Sequence, residues 1–306
     1  EKQKAKARQN WSGTGSKATD KIWFDILSNT TPTDFLGYEE ESGAAIIQSI
    51  VVKDKIVNTI SVNDEAVLIL NQTTFYGESG GQIGDTGIIS TDDCNFEVTD
   101  TKKKLGLHLH YGKVKKGNMK NGDSVTLEIN ISKRNSLRSY HTATHLLHQS
   151  LRDTLGDHVT QKGSLVSHDR LRFDFSHHKQ ISKEEVDKIE SIVDNKIAQN
   201  YPVWTQSMKP EDAIKMGALA LFGEKYGDEV RVIFIGADKN DAYSIELCGG
   251  THVKQTGEIG KFKIISNSSV AAGIRRVEAI RDTDVDNYES ELSIKEKELL
   301  EVNRIK

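Results

Sequence analysis

Two short motifs place histidine and cysteine at spacings that suit a metal ion. His141 and His145 lie four positions apart in the predicted helix 134–155, so both imidazoles project from one face. In the Cys248-Gly-Gly-Thr-His252 stretch, a thiol and an imidazole flank a turn that its glycines make flexible. Each motif alone is also typical of a solvated pair or a simple turn. Together they offer three nitrogens and one sulfur, a donor set that favours tetrahedral Zn²⁺.

The same donors leave the role of the zinc open. A helical HExxH protease motif carries a glutamate after its first histidine as the general base, and here Thr142 stands at that place. Four protein donors also close the coordination shell, which is typical of structural zinc. Hydrolysis would therefore require a labile ligand, a five-coordinate metal or a water activated nearby, and the residue types do not choose among these.

Four polar residues near the motifs could serve the same site. His148 follows His141 by seven positions and could orient a ligand or simply pack. The Thr144 hydroxyl could bind a small polar substrate or lie at the edge of the core. The Gln161 amide could position a carbonyl group or a water, and Lys162 could contact a phosphate. Both are equally consistent with an exposed strand.

Further features fit a nucleic acid, each with a structural alternative. Five glycines between Gly77 and Gly87 could let a nucleic-acid end approach the main chain, or could form a corner of a barrel. Arg275 and Arg276 cannot face the same way on a strand, so one could reach a phosphate while the other pairs with an acid. A run of lysines without any acid could contact a phosphate backbone or protect an edge strand. These lysines are Lys102, Lys103, Lys104, Lys113, Lys115, Lys116 and Lys120.

Composition limits the class of protein. The 306 residues suffice for about two domains. The 41 basic and 45 acidic side chains give a net charge of −4, so any nucleic-acid contact must come from local patches. Two cysteines exclude a disulfide framework and indicate a reducing compartment. The apolar runs are too short for a membrane span, and the charged start lacks a signal sequence, so we expect a cytoplasmic protein that is neither secreted nor membrane-bound.

The pattern along the chain predicts an α+β protein with helical segments at both ends. Charged helix formers fill residues 1–10, and apolar residues seven apart in 285–306 favour a helix that could start a coiled coil. Short β-branched runs over 35–131 predict a small β-barrel. Helices over 134–155 and 183–200 then alternate with strands near 159–166, 170–175, 230–236, 259–266 and 272–281, which indicates a mostly antiparallel sheet in an α/β sandwich. Because both ends look helical and uncapped, we expect a piece of a longer protein.

Several long stretches resemble the editing region of bacterial alanyl-tRNA synthetases. These are RNSLRSYHTATHLLHQSLRDTLGDHVTQKGSLV, LRFDFSH, GALALFGEKYGDEVRV, ELCGGTH and GEIGKFKIISNSSVAAGIRRVEAI. The stretch FYGESGGQIGDTG resembles the barrel that precedes this region in the family. The resemblance covers about residues 1–285, and its motifs are long and specific.

The resemblance implies an activity and a role for particular residues. In the family, this region hydrolyses serine or glycine wrongly esterified to the terminal adenosine of tRNA(Ala). It implies His141, His145, Cys248 and His252 as ligands of one zinc ion, Gln161 as a catalytic glutamine, and Thr144 as the residue that senses the serine hydroxyl. With the features above, we expect Gly80, Gly81, Gln82, Lys162, Arg275 and Arg276 to contact the tRNA acceptor end.

The resemblance also implies an order of domains. Residues 1–27 would end the helical tRNA-recognition domain, and 28–133 would form the barrel. The zinc-binding deacylase domain would span 134–281, and 282–306 would lead to a C-terminal domain through which the parent could form homo-oligomers. The parent ligates alanine to tRNA(Ala) with ATP, and we expect that catalytic core to lie outside these residues.

Two other functions remain open at this stage. One is the editing domain of threonyl-tRNA synthetase, which shares both metal motifs but not the glycine-rich barrel. The other is a tRNA-binding module in which zinc stabilises the fold without any catalysis, as a closed ligand shell would allow.

Overall fold

The computed structural model describes residues 17–220, 227–238 and 241–305, and it supports an α+β fold. The helix predicted over 1–10 lies outside the described residues. The chain forms two compact units. The first contains the described residues up to Ser79 together with Ile83–Arg134, and the second contains Gly80–Gln82 and the described residues from Asn135 onward. Within the described ranges, no helix combines the length and the apolar character needed to cross a membrane.

The described residues of the first unit form one helix followed by short strands. The helix is α1 (Lys17–Asn29). The strands are β1 (Asp34–Phe35), β2 (Ser42–Val52), β3 (Lys55–Val57), β4 (Thr59–Ser61), β5 (Glu65–Leu70), β6 (Gln72–Thr73), β7 (Gly87–Ser90), β8 (Asn95–Lys104), β9 (Leu107–Lys116), β10 (Asn118–Lys120) and β11 (Ser124–Ile129).

Six of these strands close into an antiparallel barrel, as the sequence predicted. The order is β11-β7-β8-β9-β5-β2, and β11 pairs back with β2 to complete the ring. In β11 every second residue is buried and the residues between are exposed, so one face of this strand points into the barrel and the other into solvent. The inward side chains form one apolar core, which includes Leu68, Phe75, Phe96 and Leu127.

A second apolar cluster lies on the outside of the barrel, beneath α1. Trp23 and Ile26 of the helix pack with Val51, Ile69 and Leu109 of the strands. These strand residues point away from the barrel interior, so the helix removes them from water. A buried outer face of this kind explains why β5 is apolar on both sides.

The second unit combines helices with two antiparallel sheets. The helices are α2 (Ile131–Leu155, which belongs to this unit from Asn135), α3 (Lys183–Ala198), α4 (Pro210–Lys215) and α5 (Thr283–Ile305), with a 3₁₀ turn at Thr256–Ile259. The strands are β12 (Gln161–Val166), β13 (Leu171–Ser176), β14 (Val203–Met208), β15 (Val230–Gly236), β16 (Ala242–Leu247), β17 (Phe262–Ala271) and β18 (Ile274–Arg281). One sheet has the order β12-β13-β18-β17 and the other β14-β15-β16.

Local chemistry sets the helix ends that matter for the site. Helix α2 begins at Ile131, three residues before the predicted start, because the Asn130 side chain accepts a hydrogen bond from the Lys133 amide. Helix α3 begins at the predicted Lys183, where Ser182 and Glu185 form a capping box. It ends two residues earlier than predicted.

In the second unit, the sequence analysis missed two strands and one helix and placed another strand too early. Strands β14 and β16 and helix α4 were not predicted. Strand β17 begins at Phe262 rather than near residue 259, because the 3₁₀ turn precedes it and Gly260 has a φ of +74° that an extended strand does not allow. The remaining strands of this unit lie within a few residues of their predicted positions.

Candidate metal centre

Four donor side chains converge at one point of the second unit. His141 and His145 lie one turn apart on α2, with stacked rings whose centroids are 5.3 Å apart. Cys248 and His252 lie in the loop that follows β16. One ligand atom from each residue lies within 4.8 Å of all the others. The structure therefore brings the two motifs together as the sequence predicted.

The CGGTH loop is held against the sheet and the helix. The Cys248 amide donates to the Arg231 carbonyl oxygen at 3.0 Å, and the Arg231 guanidinium donates to the Gly250 carbonyl oxygen at 2.7 Å. A Cβ atom at Gly250 would overlap the His141 ring, so only glycine allows the loop to approach this closely. The glycine therefore has a packing role beside the four donor side chains.

Each histidine uses its Nδ1 atom to contact a neighbouring polar group. The His141 Nδ1 lies 2.7 Å from Gln82 Oε1, and the His145 Nδ1 lies 3.1 Å from Glu246 Oε2. The His252 Nδ1 lies 3.3 Å from the hydroxyl oxygen of Thr142 on α2. The Gln82 amide oxygen can only accept, so its contact favours a proton on Nδ1 of His141, whereas His145 Nδ1 lies close to the carboxylate without forming a hydrogen bond among the described residues.

The threonine whose hydroxyl contacts His252 Nδ1 is Thr142, which stands where a zinc protease of the HExxH type has its glutamate. Its hydroxyl donates to the Arg138 carbonyl oxygen at 2.9 Å and accepts from the Val253 amide at 3.3 Å. Its one proton is used in the first bond, so it accepts from His252 Nδ1. Thr142 thus orients the His252 ring. Its hydroxyl cannot act as a general base in the way that the carboxylate of a glutamate would.

Electrostatics favour a thiolate in this cluster. Burial opposes a charge on Cys248, but the imidazoles, that of His141 first, outweigh burial and hold the thiol pKa well below its usual value. Burial lowers the pKa of His145, but Glu246 and then Cys248 reverse this and raise it to about 10. For His252, burial dominates and lowers the pKa to about 3. A thiolate is the form of cysteine that binds metals.

The donor geometry fits a tetrahedral metal ion. Cys248 Sγ lies 3.4 Å from His141 Nε2 and 3.3 Å from His252 Nε2. Tetrahedral zinc with typical bond lengths would separate such atoms by about 3.6 Å. The His145 Nε2 is buried and has no hydrogen-bond partner in the described part of the chain. A buried nitrogen of this kind is costly unless a cation or proton satisfies it, so the residues fit a zinc site.

Of the other predicted residues, Thr144 is buried on α2 and Gln161 is half-buried at the start of β12. The Thr144 hydroxyl donates to the Tyr140 carbonyl oxygen at 2.8 Å. Among the described residues, no hydrogen bond connects either side chain to the four donors, and the Gln161 amide bonds to no side chain. Lys162 is exposed on the same strand. The proposed roles of these residues stay predictions.

The predicted tRNA contacts fall into different environments. Gly80 is exposed with a φ of +59°, and the Gly81 carbonyl oxygen accepts from the Val166 amide at 2.7 Å. Gln82, in contrast, is fully buried, and its amide is bonded within the metal centre. Arg276 forms a two-point ion pair with an acid, Asp174, at 2.7 and 2.8 Å. Arg275 bonds to Asn267 at 3.0 Å.

Sequence reasoning did not identify Gln82 and Glu246 as neighbours of the ligands. Glu246 lies two residues before Cys248 on β16, a strand that was not predicted. It accepts from His148 Nδ1 at 3.2 Å, and His148 is itself buried, so both of its suggested roles stay predictions. Glu246 could have been found from its spacing to Cys248 only if the strand had been recognised. Nothing in the sequence connects Gln82 to His141.

Comparisons with known proteins agree with this picture. A family model described as class II (A) tRNA synthetases matches residues 1–133. A second, described as the threonyl and alanyl tRNA synthetase second additional domain, matches residues 230–278, which include Cys248 and His252.

Curated relatives match nearly the whole chain. The alanine–tRNA ligase of Mesorhizobium japonicum is 51% identical over 286 residues, covering 92% of this chain and 32% of the relative. The alanine–tRNA ligase of Parvibaculum lavamentivorans is 53% identical over 284 residues, covering 91% of this chain and 32% of the relative. The chain thus spans about a third of the length of these relatives. With this identity over nine-tenths of its residues, and with the two motifs assembled into one cluster, the chain belongs to the alanyl-tRNA synthetase family.

Proposed function

We propose that the second unit binds one Zn²⁺ and hydrolyses the ester of serine or glycine wrongly attached to tRNA(Ala). The observation that carries the proposal is the convergence of three imidazoles and one thiol on a single point. The match to a domain model of threonyl and alanyl tRNA synthetases supports it. Identity of 51–53% to alanine–tRNA ligases favours tRNA(Ala) over a threonine tRNA.

The need for such an activity follows from the size of alanine. A pocket built for alanine cannot strongly reject glycine, since one methyl group contributes only about 1–3 kcal/mol of discrimination. Serine adds only a hydroxyl and is also accepted at times. A second site that removes these esters after transfer to tRNA raises the overall specificity. The partner of this chain would be the acceptor end of the tRNA, whose ester lies at the terminal adenosine.

The reaction is an ester hydrolysis. A water oxygen adds to the carbonyl carbon, the bond to the ribose oxygen breaks, and that oxygen takes up a proton. Bound at His141, His145, Cys248 and His252, zinc would supply a Lewis acid that could hold the amino group of the substrate or polarise a water. The Gln161 amide, which bonds to no other side chain of the described residues, is available to donate to the oxyanion that develops on the carbonyl oxygen.

Thr144 is the proposed sensor of serine. Its hydroxyl proton is used by the Tyr140 carbonyl oxygen, so its remaining lone pairs can only accept. A serine hydroxyl could therefore donate to Thr144, whereas alanine has no group to do so. Glycine would have to be admitted for a different reason, its small size.

The ligation of alanine to tRNA would be an activity of the whole protein. We propose that this chain is part of an enzyme that ligates alanine to tRNA(Ala) with ATP, and that the ATP-dependent step uses residues beyond the 306 described by this sequence. Lys162 and Arg275, with Gly80 and Gly81, remain proposed contacts of the tRNA end.

Single-turnover hydrolysis tests the proposal. Seryl-, glycyl- and alanyl-tRNA(Ala) would each be mixed with an excess of the 306-residue chain, with zinc content measured on the same sample. We expect rapid loss of the first two esters and survival of the third. Cys248→Ala should reduce hydrolysis to the buffer rate, and His168→Ala, at a half-exposed histidine of the same unit, should not change it. Full activity in a folded Cys248→Ala protein would refute the zinc-dependent function.

The closed set of four protein ligands favours a second candidate, a zinc-stabilised tRNA-binding module without catalysis. In that case, a zinc-replete chain would bind tRNA but leave every ester intact, and chelation would abolish the fold as well as binding. Circular dichroism before and after chelation, measured beside the hydrolysis assay, separates the two candidates.

A further inference from the structure

Gln82 belongs to the metal centre although it lies in the glycine-rich segment. Its side chain has no exposed surface. Residues Gly80–Gln82 pack with the second unit, and Gln82 forms an isolated bridge with Val166 there. A fully buried amide must have its hydrogen bonds satisfied by protein groups, and its partners show what it does.

The orientation of the amide follows from a main-chain contact. The Thr251 amide lies 3.0 Å from one end of the Gln82 side chain and can only donate, so that end is Oε1. The other end, Nε2, lies 2.9 Å from Thr251 Oγ1 and donates to it. Both bonds hold the CGGTH loop, because Thr251 stands between Gly250 and His252.

This orientation determines the proton on His141. The Nδ1 atom lies 2.7 Å from the same Oε1, which cannot donate, so Nδ1 carries a hydrogen. Whenever the ring is neutral, its lone pair is therefore on Nε2, the atom that lies 3.4 Å from Cys248 Sγ. If Nδ1 had no hydrogen, the proton would lie on Nε2 and the ring could not bind a metal through it.

We propose that Gln82 is a positioning residue of the metal centre: it selects the metal-binding tautomer of His141 and fixes the CGGTH loop beside it. The inference rests on the proposed zinc site. It gives part of the glycine-rich segment a role in metal binding that its composition does not indicate. Gln82 would not touch the metal or the substrate.

The contact differs from the one that His145 makes. His145 is held by the Glu246 carboxylate, which adds negative charge. Gln82 is uncharged, so it fixes the ring without changing the net charge of the site. It also contacts both motifs at once, whereas in the described part of the chain the Glu246 carboxylate bonds to side chains of α2 and of its own strand.

Two substitutions test the proposal. Gln82→Leu keeps the approximate volume but removes the acceptor, and Gln82→Glu keeps an acceptor for both His141 and the Thr251 amide. We expect Gln82→Leu to weaken Co²⁺ binding by about 10- to 100-fold, the usual effect of losing a group that orients a ligand. Gln82→Glu should stay within about threefold of the original chain. Gln149→Leu, on an exposed face of α2, is the matched control and should have no effect.

A second readout measures the tautomer directly in metal-free protein. Long-range ¹H–¹⁵N spectra of the imidazoles at pH 8 distinguish a proton on Nδ1 from one on Nε2. We expect His141 to carry its proton on Nδ1 in the original chain and in Gln82→Glu, and to populate both tautomers in Gln82→Leu. Far-ultraviolet circular dichroism confirms that each variant is folded.

The possible outcomes separate this inference from the zinc proposal. Unchanged Co²⁺ affinity in Gln82→Leu would overturn the inference, and so would weaker binding with an unchanged His141 tautomer, which would show a purely structural role. If the original chain bound no Co²⁺ or Zn²⁺, the zinc proposal would fail. The tautomer of metal-free His141 would then still decide whether Gln82 selects it.

Discussion

Thr144 gives its only hydroxyl proton to the main-chain oxygen of Tyr140, one turn earlier on α2. Threonine side chains in helices often form such bonds with the preceding turn. Here the bond fixes the hydroxyl as an acceptor within a buried environment. A substrate that contacts this oxygen must therefore bring its own proton, which serine can do and alanine cannot.

Thr144→Val should lower the rate of serine removal more than that of glycine removal. The lost hydrogen bond to the serine hydroxyl corresponds to about 0.5–1.5 kcal/mol, so we expect seryl-tRNA(Ala) hydrolysis to fall about 2- to 13-fold. Glycyl-tRNA(Ala) hydrolysis should change less than twofold, because glycine offers no hydroxyl. Single-turnover rates on both substrates measure the ratio.

Thr154→Val provides the control for this substitution. Its hydroxyl lies on the same helix, buried and without a partner among the described residues, so no hydrogen bond is lost. Thr144→Ser should retain the original ratio. Equal losses for the two esters in Thr144→Val would contradict the assigned role.

Glu246→Gln should weaken zinc binding by about tenfold or more. The carboxylate lies 3.1 Å from His145 Nδ1 and 3.2 Å from His148 Nδ1, and an amide would remove its charge from both. Competition with a chromophoric chelator measures the affinity. Glu229→Gln, at an exposed position, is the control. An affinity that stays the same in Glu246→Gln would mean that His145 is oriented by packing alone.

Sequence patterns predicted the barrel and the clustering of the four donor side chains better than they predicted the groups around that cluster. The four donors lie in two local motifs, and a helix fixes the spacing of His141 and His145. Gln82 and His141, in contrast, are 59 residues apart, and their contact depends on tertiary packing. Strand β14 was missed because its side chains do not alternate between buried and exposed, since Thr205, Gln206 and Ser207 in its middle are all exposed. Local propensity does not encode such contacts.

Asp85→Asn should destabilise the barrel unit by about 3 kcal/mol or more. Asp85 and Arg134 form an ion pair in which the two side chains are 2% and 0% exposed. Arg134 also donates to the carbonyl oxygens of Gly37 and Thr74, at 2.7 Å each. Loss of the carboxylate charge leaves a buried guanidinium uncompensated, which is costly. Urea unfolding monitored by amide exchange in the barrel strands measures the change.

Asp187→Asn is the matched control for that experiment. Asp187 pairs with Lys183 at 2.9 Å, but both side chains are more than half exposed, so its loss should have little effect. The double variant Asp85→Leu with Arg134→Met should be more stable than Asp85→Asn, since it leaves no unpaired charge. If Asp85→Asn unfolded at the same urea concentration as the original chain, the pair would have no stabilising role.

Acid should destabilise the barrel unit through His110. The ring is fully buried; its Nδ1 donates to the Leu68 carbonyl oxygen at 3.0 Å, and its Nε2 accepts from the Thr73 hydroxyl at 2.8 Å. Burial lowers its pKa from 6.5 to about 4, although the bond to Leu68 acts in the opposite direction. The folded state therefore keeps His110 neutral at a pH where the unfolded chain is already protonated.

The sign of the effect follows from this difference in pKa. Between pH 6.5 and about 4, the unfolded state binds one more proton at this position than the folded state, so the free energy of unfolding falls as the pH falls. From pH 7 to pH 5 the loss should be about 2 kcal/mol. Urea unfolding of the barrel strands at the two pH values measures it. His110→Gln, which cannot be protonated, should reduce the difference by that amount, whereas His168→Asn, at a half-exposed histidine of the other unit, should not. A difference that is the same in His110→Gln and the original chain would show that other groups cause the acid sensitivity.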